Sequence, residues 1–118
     1  MQYLYKEERP WGRFFVISEE QNFKIKKIEV EPNKRLSYQF HNKRSEYWIV
    51  IQGEGLIVLN DIKSKVKKGD TVFIKKTDKH RIQNEGDKVL VFIEVQTGSY
   101  FGEDDIVRIQ DDFNRIKQ

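Results

Sequence analysis

The chain has 118 residues, a net charge of +3 from 22 basic and 19 acidic side chains, and no cysteine. That length supports one domain with a real core rather than two, and the missing cysteine excludes disulfides, thiolate nucleophiles and Cys-ligated metals and fits a cytoplasmic protein. No apolar run approaches the ~20 residues of a membrane span, the start shows no basic-then-apolar leader, and the charge signs are interspersed where a nucleic-acid binder concentrates positive charge, so neither membrane nor nucleic acid is expected as a partner.

The 13 Ile, 10 Val, 8 Phe and 5 Tyr, against five Leu and no Ala, favour strands over helices. RFFVI reads as the first strand. In FKIKKIEV, Phe23 and Ile25 share one phase and Ile28 and Val30 the other, which predicts a bulge near Lys26 and Lys27. EPNK turns the chain. RLSYQFH alternates, with Leu36, Tyr38 and Phe40 on one side and Ser37, Gln39 and His41 on the other. After the NKRS turn, EYWIVIQ is apolar on both faces. GEG turns into LIVL, and ND is a tight hairpin signal. IKSKVKK and DTVFIKK join across Gly69. HRIQN alternates, EGDK turns, and VLVFIEVQ is again apolar on both faces. TGSYFGEDD leads into IVRIQDDF, and the last residues can form a frayed helical turn. Roughly nine to eleven short strands with regular turns read as an antiparallel sandwich or barrel. The two-sided runs EYWIVI and VLVFIEV need cover on both faces, from a second sheet or a second subunit, and a homodimer is expected.

Four polar residues break the apolar pattern. Gln39 and His41, two apart, point to one side of a strand. Glu46 opens the next run, and His80 is the other of the chain's two histidines. Two imidazoles and a carboxylate suit a first-row divalent metal, and a side-chain amide oxygen can complete the set. Binding requires neutral imidazoles, so metal affinity is expected to fall as pH drops through about 6.5.

The spacing resembles that of the cupins. LSYQFHNKRSEYWIVIQGEG runs Gln39-x-His41, four residues, Glu46, six residues, Gly53, where the first cupin motif runs His-x-His, four, Glu, six, Gly. GDTVFIKKTDKHRIQN resembles the second motif at Gly69, His80 and Asn84. ERPWG at 8–12, LSYQFHNKRSEYW at 36–48, HRIQN at 80–84, IEVQTGSYFGEDDIVR at 93–108 and DDFNR at 111–115 resemble the type II mannose-6-phosphate isomerase domain. In many bacteria that domain is the C-terminal half of a bifunctional enzyme with a mannose-1-phosphate guanylyltransferase in its N-terminal half. The resemblance covers about residues 8–115 of a single domain spanning 1–118. It implies an all-β cupin double-stranded β-helix, a small jelly-roll barrel that is usually dimeric, with Gln39, His41, Glu46 and His80 as metal ligands. Tyr47, Lys75 and Thr77 depart from the family pattern, where histidine, proline and glycine are usual. By alternation Tyr47 faces away from Glu46 and Trp48, in a packing role. Asn33, standing where a glycine is usual, tolerates left-handed backbone. Trp11, beside Pro10, reads as a plug over one end of the barrel.

The function this implies is metal-dependent interconversion of mannose-6-phosphate and fructose-6-phosphate, with Zn²⁺ the first choice and Mn²⁺, Co²⁺ or Fe²⁺ also compatible with the donor set. Arg108, Glu94 and Glu103 are the candidates for catalysis, Arg108 doubling as a phosphate ligand. Arg44, Lys76 and Arg81 are the further candidates for holding substrate phosphate. Without catalysis, the same residues describe a sugar-phosphate-binding or regulatory module, which could partner a separate guanylyltransferase. These 118 residues contain no Gly-rich nucleotide loop, so GDP-mannose synthesis within them is not expected. Sugar-nucleotide epimerisation, which commonly uses a His–Asp or Tyr acid–base arrangement, is disfavoured.

Overall fold

A computed structural model of the chain describes residues 2–115. Strands β1 (Tyr5–Arg9), β2 (Gly12–Glu19), β3 (Phe23–Val30), β4 (Tyr38–Phe40), β5 (Arg44–Gln52) and β6 (Glu54–Leu59) are followed by β7 (Ile62–Lys67), β8 (Thr71–Ile74), β9 (His80–Asn84), β10 (Leu90–Gly98) and β11 (Val107–Gln110). They form two antiparallel sheets. One has six strands in the order β1-β2-β3-β10-β5-β8, and the other five in the order β11-β4-β9-β6-β7. The strand-rich composition and the alternating segments thus produce an all-β architecture.

The expected closed barrel is not formed. Each sheet has two free edges, β1 and β8 in the larger and β11 and β7 in the smaller. Alternation specifies which face of a strand is buried and carries no information on which edges pair. Here β7 and β8, joined across Gly69, run into different sheets, and β4 is only three residues long. The expected C-terminal helical turn is also absent among the described residues. Asn114 has φ of 57°, which breaks a right-handed helix, and Asp111 turns the chain by accepting from the backbone N–H of Phe113 and Arg115. Residues 116–118 lie outside the described part.

Nor is there a bulge at Lys26–Lys27. β3 pairs with β10 without a register shift, and the irregularity lies in β2, between Val16 and Ser18. The phase change has another origin. Lys24 and Lys26 point inward with Ile28 and Val30, while Phe23 and Ile25 share the opposite face.

The apolar half of the interior is built from Trp11, Phe14, Val16, Ile28, Val30, Trp48, Val50, Ile57, Ile82, Leu90 and Phe92. Trp11 is therefore a core side chain rather than a plug. Trp48 packs on Phe92 with the rings tilted by 33° and their centroids 4.5 Å apart. The outer face of the larger sheet is apolar over β5 and β8. Tyr47 stacks on Phe73 at 4.6 Å and lies beside Ile49 and Ile51 on β5, all four exposed. Tyr47 packs away from the interior, as alternation requires.

The turns follow their residues. Asn60 and Asp61, at φ of 48° and 70°, make the β6–β7 hairpin, and Asn33 takes φ of 65°. Thr77 is the costly case, a β-branched residue at φ of 69°. Its N–H donates to His41 O at 2.8 Å, so the strained turn braces a site residue. Thr77→Gly should relieve this strain, stabilising the fold by about 1 kcal/mol and raising Tm by about 4 °C. A thermal melt with unchanged or lowered Tm would contradict the strain.

Candidate metal centre

The two sheets face each other across a polar half of the interior, and register sets its geometry. In the smaller sheet Arg108 pairs across from Gln39, and Gln39 from His80. In the larger sheet one cross-strand row runs Lys26, Glu94, Trp48 and the next runs Lys24, Gln96, Glu46. His41 follows β4 directly. The inward residues of these rows are buried, apart from the partly exposed Arg108. Gln39, His41, Arg44, Glu46, His80, Glu94, Glu103, Arg108 and Lys26 line one cavity of about 60 Å³, room for a few waters.

His41, Glu46 and His80 place one ligand atom each within 4.8 Å of one another. His41 Nε2 lies 3.3 Å and His80 Nε2 3.9 Å from Glu46 oxygens. The far nitrogens are tied to backbone carbonyls, His41 Nδ1 to Asp105 O at 2.6 Å and His80 Nδ1 to Asp78 O at 2.9 Å. With Nδ1–H donating outward, each Nε2 turns its lone pair toward Glu46. Asp105 is itself locked in place, its carboxylate accepting from the N–H of Asn42 and Lys43 at 3.1 and 2.9 Å. Gln39 donates its amide nitrogen to Ser37 O at 3.4 Å. Two imidazole nitrogens, a carboxylate and an adjacent amide fit a divalent ion of the zinc, manganese, cobalt or iron type.

Glu46 is more than a ligand candidate. It accepts from Arg44 Nε at 2.9 Å and from Trp48 Nε1 at 3.0 Å. Burial alone would raise its pKa, but Arg44, His41 and His80 outweigh it and hold the carboxyl well below the usual range. Glu94, which accepts from Gln96 Nε2 at 2.7 Å, goes the other way. Burial and the nearby Glu46 charge push its carboxyl up. Burial also lowers the His41 imidazole to about 4 and lowers His80.

Of the remaining candidates, Arg44, Glu94, Glu103 and Arg108 reach the cavity. Two do not. Lys76 is exposed on the turn after β8, where its backbone N–H donates to Ser45 Oγ. Arg81 is buried on the opposite face of β9, donating to Leu36 O at 3.0 Å and Gln110 Oε1 at 2.6 Å. Alternation away from His80 puts it there. Three groups that support the site were not among the predicted site residues. Gln96 was readable only as the face-mate of Glu94. Lys26 falls where the phase change predicts a bulge, and the Asp105 carbonyl is a backbone group.

Residues 1–111 match the family described as Mannose-6-phosphate isomerase C-terminal. The chain belongs to that family. It is a cupin-type mannose-phosphate isomerase domain. The xanthan biosynthesis protein XanB of Xanthomonas campestris pv. campestris is 41% identical over 107 residues, which are 91% of this chain and 23% of that protein. The alginate biosynthesis protein AlgA of Pseudomonas aeruginosa is 39% identical over 110 residues, 93% of this chain and 23% of that protein. A mannose-1-phosphate guanylyltransferase of Escherichia coli is 36% identical over 107 residues, with the same 91% and 23% coverage. The chain therefore spans about a quarter of these relatives. Among solved structures, the capsular polysaccharide assembling protein CapF of Staphylococcus aureus superposes with a TM-score of 0.80 at 22% identity, over 93% of this chain and 33% of that one. An uncharacterized Klebsiella pneumoniae protein with a double-stranded beta-helix domain gives 0.71 at 22% identity, over 80% of both chains. At that identity the likeness shows the fold alone.

His41→Ala should abolish most metal uptake in a folded protein, measured by elemental analysis after dialysis; unchanged content would remove His41 from the site. With its folded pKa near 4, His41 stays neutral well below the unfolded value of 6.5, so His41 protonation alone should not weaken metal affinity at pH 6.5, contrary to the expectation from unperturbed histidine. Between those two values the unfolded chain binds the proton and the folded chain does not. Metal-free protein should therefore lose stability as pH falls from 6.5 toward 4. A Tm that is flat or rises over that interval would contradict the buried neutral imidazole.

Proposed function

We propose that this domain interconverts mannose-6-phosphate and fructose-6-phosphate at the cavity between the sheets. The observation that carries the proposal is the convergence of His41, Glu46 and His80 with Gln39, Glu94 and Arg108 around one space. The reaction moves a proton between C1 and C2 of the sugar, which builds negative charge on oxygen. A divalent ion held by His41, His80, Glu46 and Gln39, zinc foremost, would supply Lewis-acid stabilisation of that charge. The chain's own side chains do the rest. Glu94, raised by burial and by Glu46, takes the proton from one carbon and returns it to the other. The Gln96 amide fixes its orientation. Arg108, across the strand pair from Gln39, presents a guanidinium to the substrate's anionic end. Trp48 closes the apolar side and holds Glu46 in place. A cytoplasmic location belongs to the same reading and is supported by the cysteine-free sequence.

A homodimer is part of this proposal. The exposed Tyr47, Ile49, Ile51 and Phe73 form one apolar surface on the larger sheet, and a second copy is the partner that would cover it. Ile49→Glu should shift the protein to monomer by light scattering at micromolar concentration. A wild-type protein already monomeric there would end this part of the reading.

One contact favours a second reading, a sugar-phosphate-binding module without catalysis. Arg44 Nη2 lies 3.2 Å from His41 Nε2, against the lone pair a metal would use, so the guanidinium can serve as the cation that Glu46 needs. Solvent deuterium entry at C2 of mannose-6-phosphate separates the two. The isomerase reading expects deuterium entry with metal-loaded protein, its loss on chelation and its return on metal addition. Folded, metal-loaded protein that gives neither deuterium nor fructose-6-phosphate would exclude it.

A further inference from the structure

Lys26 is an unusual residue to find inside a sheet. It is only 3% exposed, on the inward face of β3, with Nζ 4.0 Å from the centre of the Phe14 ring. A lysine so placed needs an anion, because an ammonium taken out of water without one costs several kcal/mol. The anion comes from Glu103, whose carboxylate pairs with Lys26 Nζ. The partners differ in their freedom. The Lys26 side chain is 4% exposed and set in a central strand, whereas Glu103 is 38% exposed and sits on the segment between β10 and β11. That segment is fixed on either side of Glu103, by the buried Phe101 and by the Asp105 carboxylate on Asn42 and Lys43. The Glu103 side chain can therefore swing into solvent while its backbone stays.

The surroundings favour an anion from outside. Arg108 faces the same cavity from the other sheet, and its buried Nε has no hydrogen-bond partner among the described residues. Arg44 has a buried Nη1 in the same condition. Burial pushes the Glu103 carboxyl up, but Lys26 and Arg44 more than reverse this, so it is ionised at neutral pH. The cavity thus holds a fixed cation whose counter-ion is tethered and displaceable, with unused guanidinium donors nearby. A phosphoryl dianion brings more charge and more acceptor oxygens than one carboxylate can.

We infer that Lys26 is a phosphoryl-binding cation of this cavity, with Arg108 on the facing sheet, and that Glu103 is an internal anion which the phosphoryl group of a ligand displaces. The inference deepens the sugar-phosphate reading and rests on it for the identity of the ligand. It assigns Glu103 to occupancy of the phosphoryl site rather than to proton transfer. Empty, the site stays closed by the Lys26–Glu103 pair and its charge stays neutralised. Occupied, the ligand replaces one ion pair with another, and Glu103 returns to water.

The test uses inorganic phosphate as probe, measured by calorimetry on the full chain. Glu103→Gln keeps the shape and removes the competing charge, so phosphate should bind about tenfold tighter than to wild type. Glu103→Ala should act in the same direction. Lys26→Met should abolish phosphate binding, and if that variant fails to fold the two Glu103 variants still decide. Equal or weaker phosphate binding by both Glu103 variants, or no binding by any form, overturns the inference. Deuterium entry into mannose-6-phosphate is read separately. If it fails while the phosphate pattern holds, the isomerase reading falls and this site stands; if it succeeds while the phosphate pattern is absent, the reverse is true.

Discussion

A carboxylate taken fully out of water costs several kcal/mol unless charges and donors are fixed around it, and the Glu46 side chain is almost wholly buried. The interior is organised around that constraint. Arg44 and Trp48 donate to its two oxygens, and two imidazoles turn Nε2 toward it. Each ring is then held by something else. Asp105 and Asp78 carbonyls orient the rings, and Thr77 takes a strained backbone while its N–H donates to His41 O. Together with burial, the same negative centre raises Glu94 on the adjacent strand β10, so that one buried charge generates a second carboxyl of opposite habit. Pairs of carboxyls driven apart in this way can divide binding and proton transfer between them.

The rest of the fold can be read as support for keeping these charges dry and positioned. Apolar residues fill one half of the space between the sheets, and the polar groups meet in the other. Antiparallel pairing sets the rows in register, so the candidate ligand Glu46, a second carboxyl and a lysine sit on neighbouring strands of one sheet, facing a glutamine, a histidine and an arginine on the other. Gly98 shows how close the chain must come: a side chain there would meet Lys43 O at 2.2 Å. That close approach brings the end of β10 onto the start of β5, where Arg44 begins its reach to Glu46.

Much of this was legible in the sequence. Alternation placed Gln39 with His41, ligand chemistry joined Glu46 and His80 to them, and the cupin-like spacing supported the set. Arg108, Glu94 and Glu103 were singled out by the GEDDIVR resemblance and by shared faces, and all three reach the cavity. What stayed hidden has physical causes. Charged residues in a strand are ordinarily solvent-facing, so the phase change predicts a bulge near Lys26 and Lys27, whereas Lys24 and Lys26 share an inward face that is polar at one end and apolar at the other. Arg81 has the right chemistry for phosphate but the wrong parity. Lys76 belongs to a turn, where periodicity gives no direction. The Asp105 carbonyl is a backbone acceptor, invisible to any reading of side chains. Barrel closure depends on edge pairing, which alternation does not encode, and the two sheets remain open.

The central claim is that the charge at Glu46 exists to bind a metal together with His41 and His80, and not only to pair with Arg44. X-ray absorption at the zinc edge of stoichiometrically loaded protein tests it most directly. The account predicts scattering from two imidazoles, with nitrogen and oxygen neighbours at about 2.0–2.2 Å. Folded protein that takes up no zinc, or holds it without histidine, would contradict it and leave Arg44 as the cation of the site.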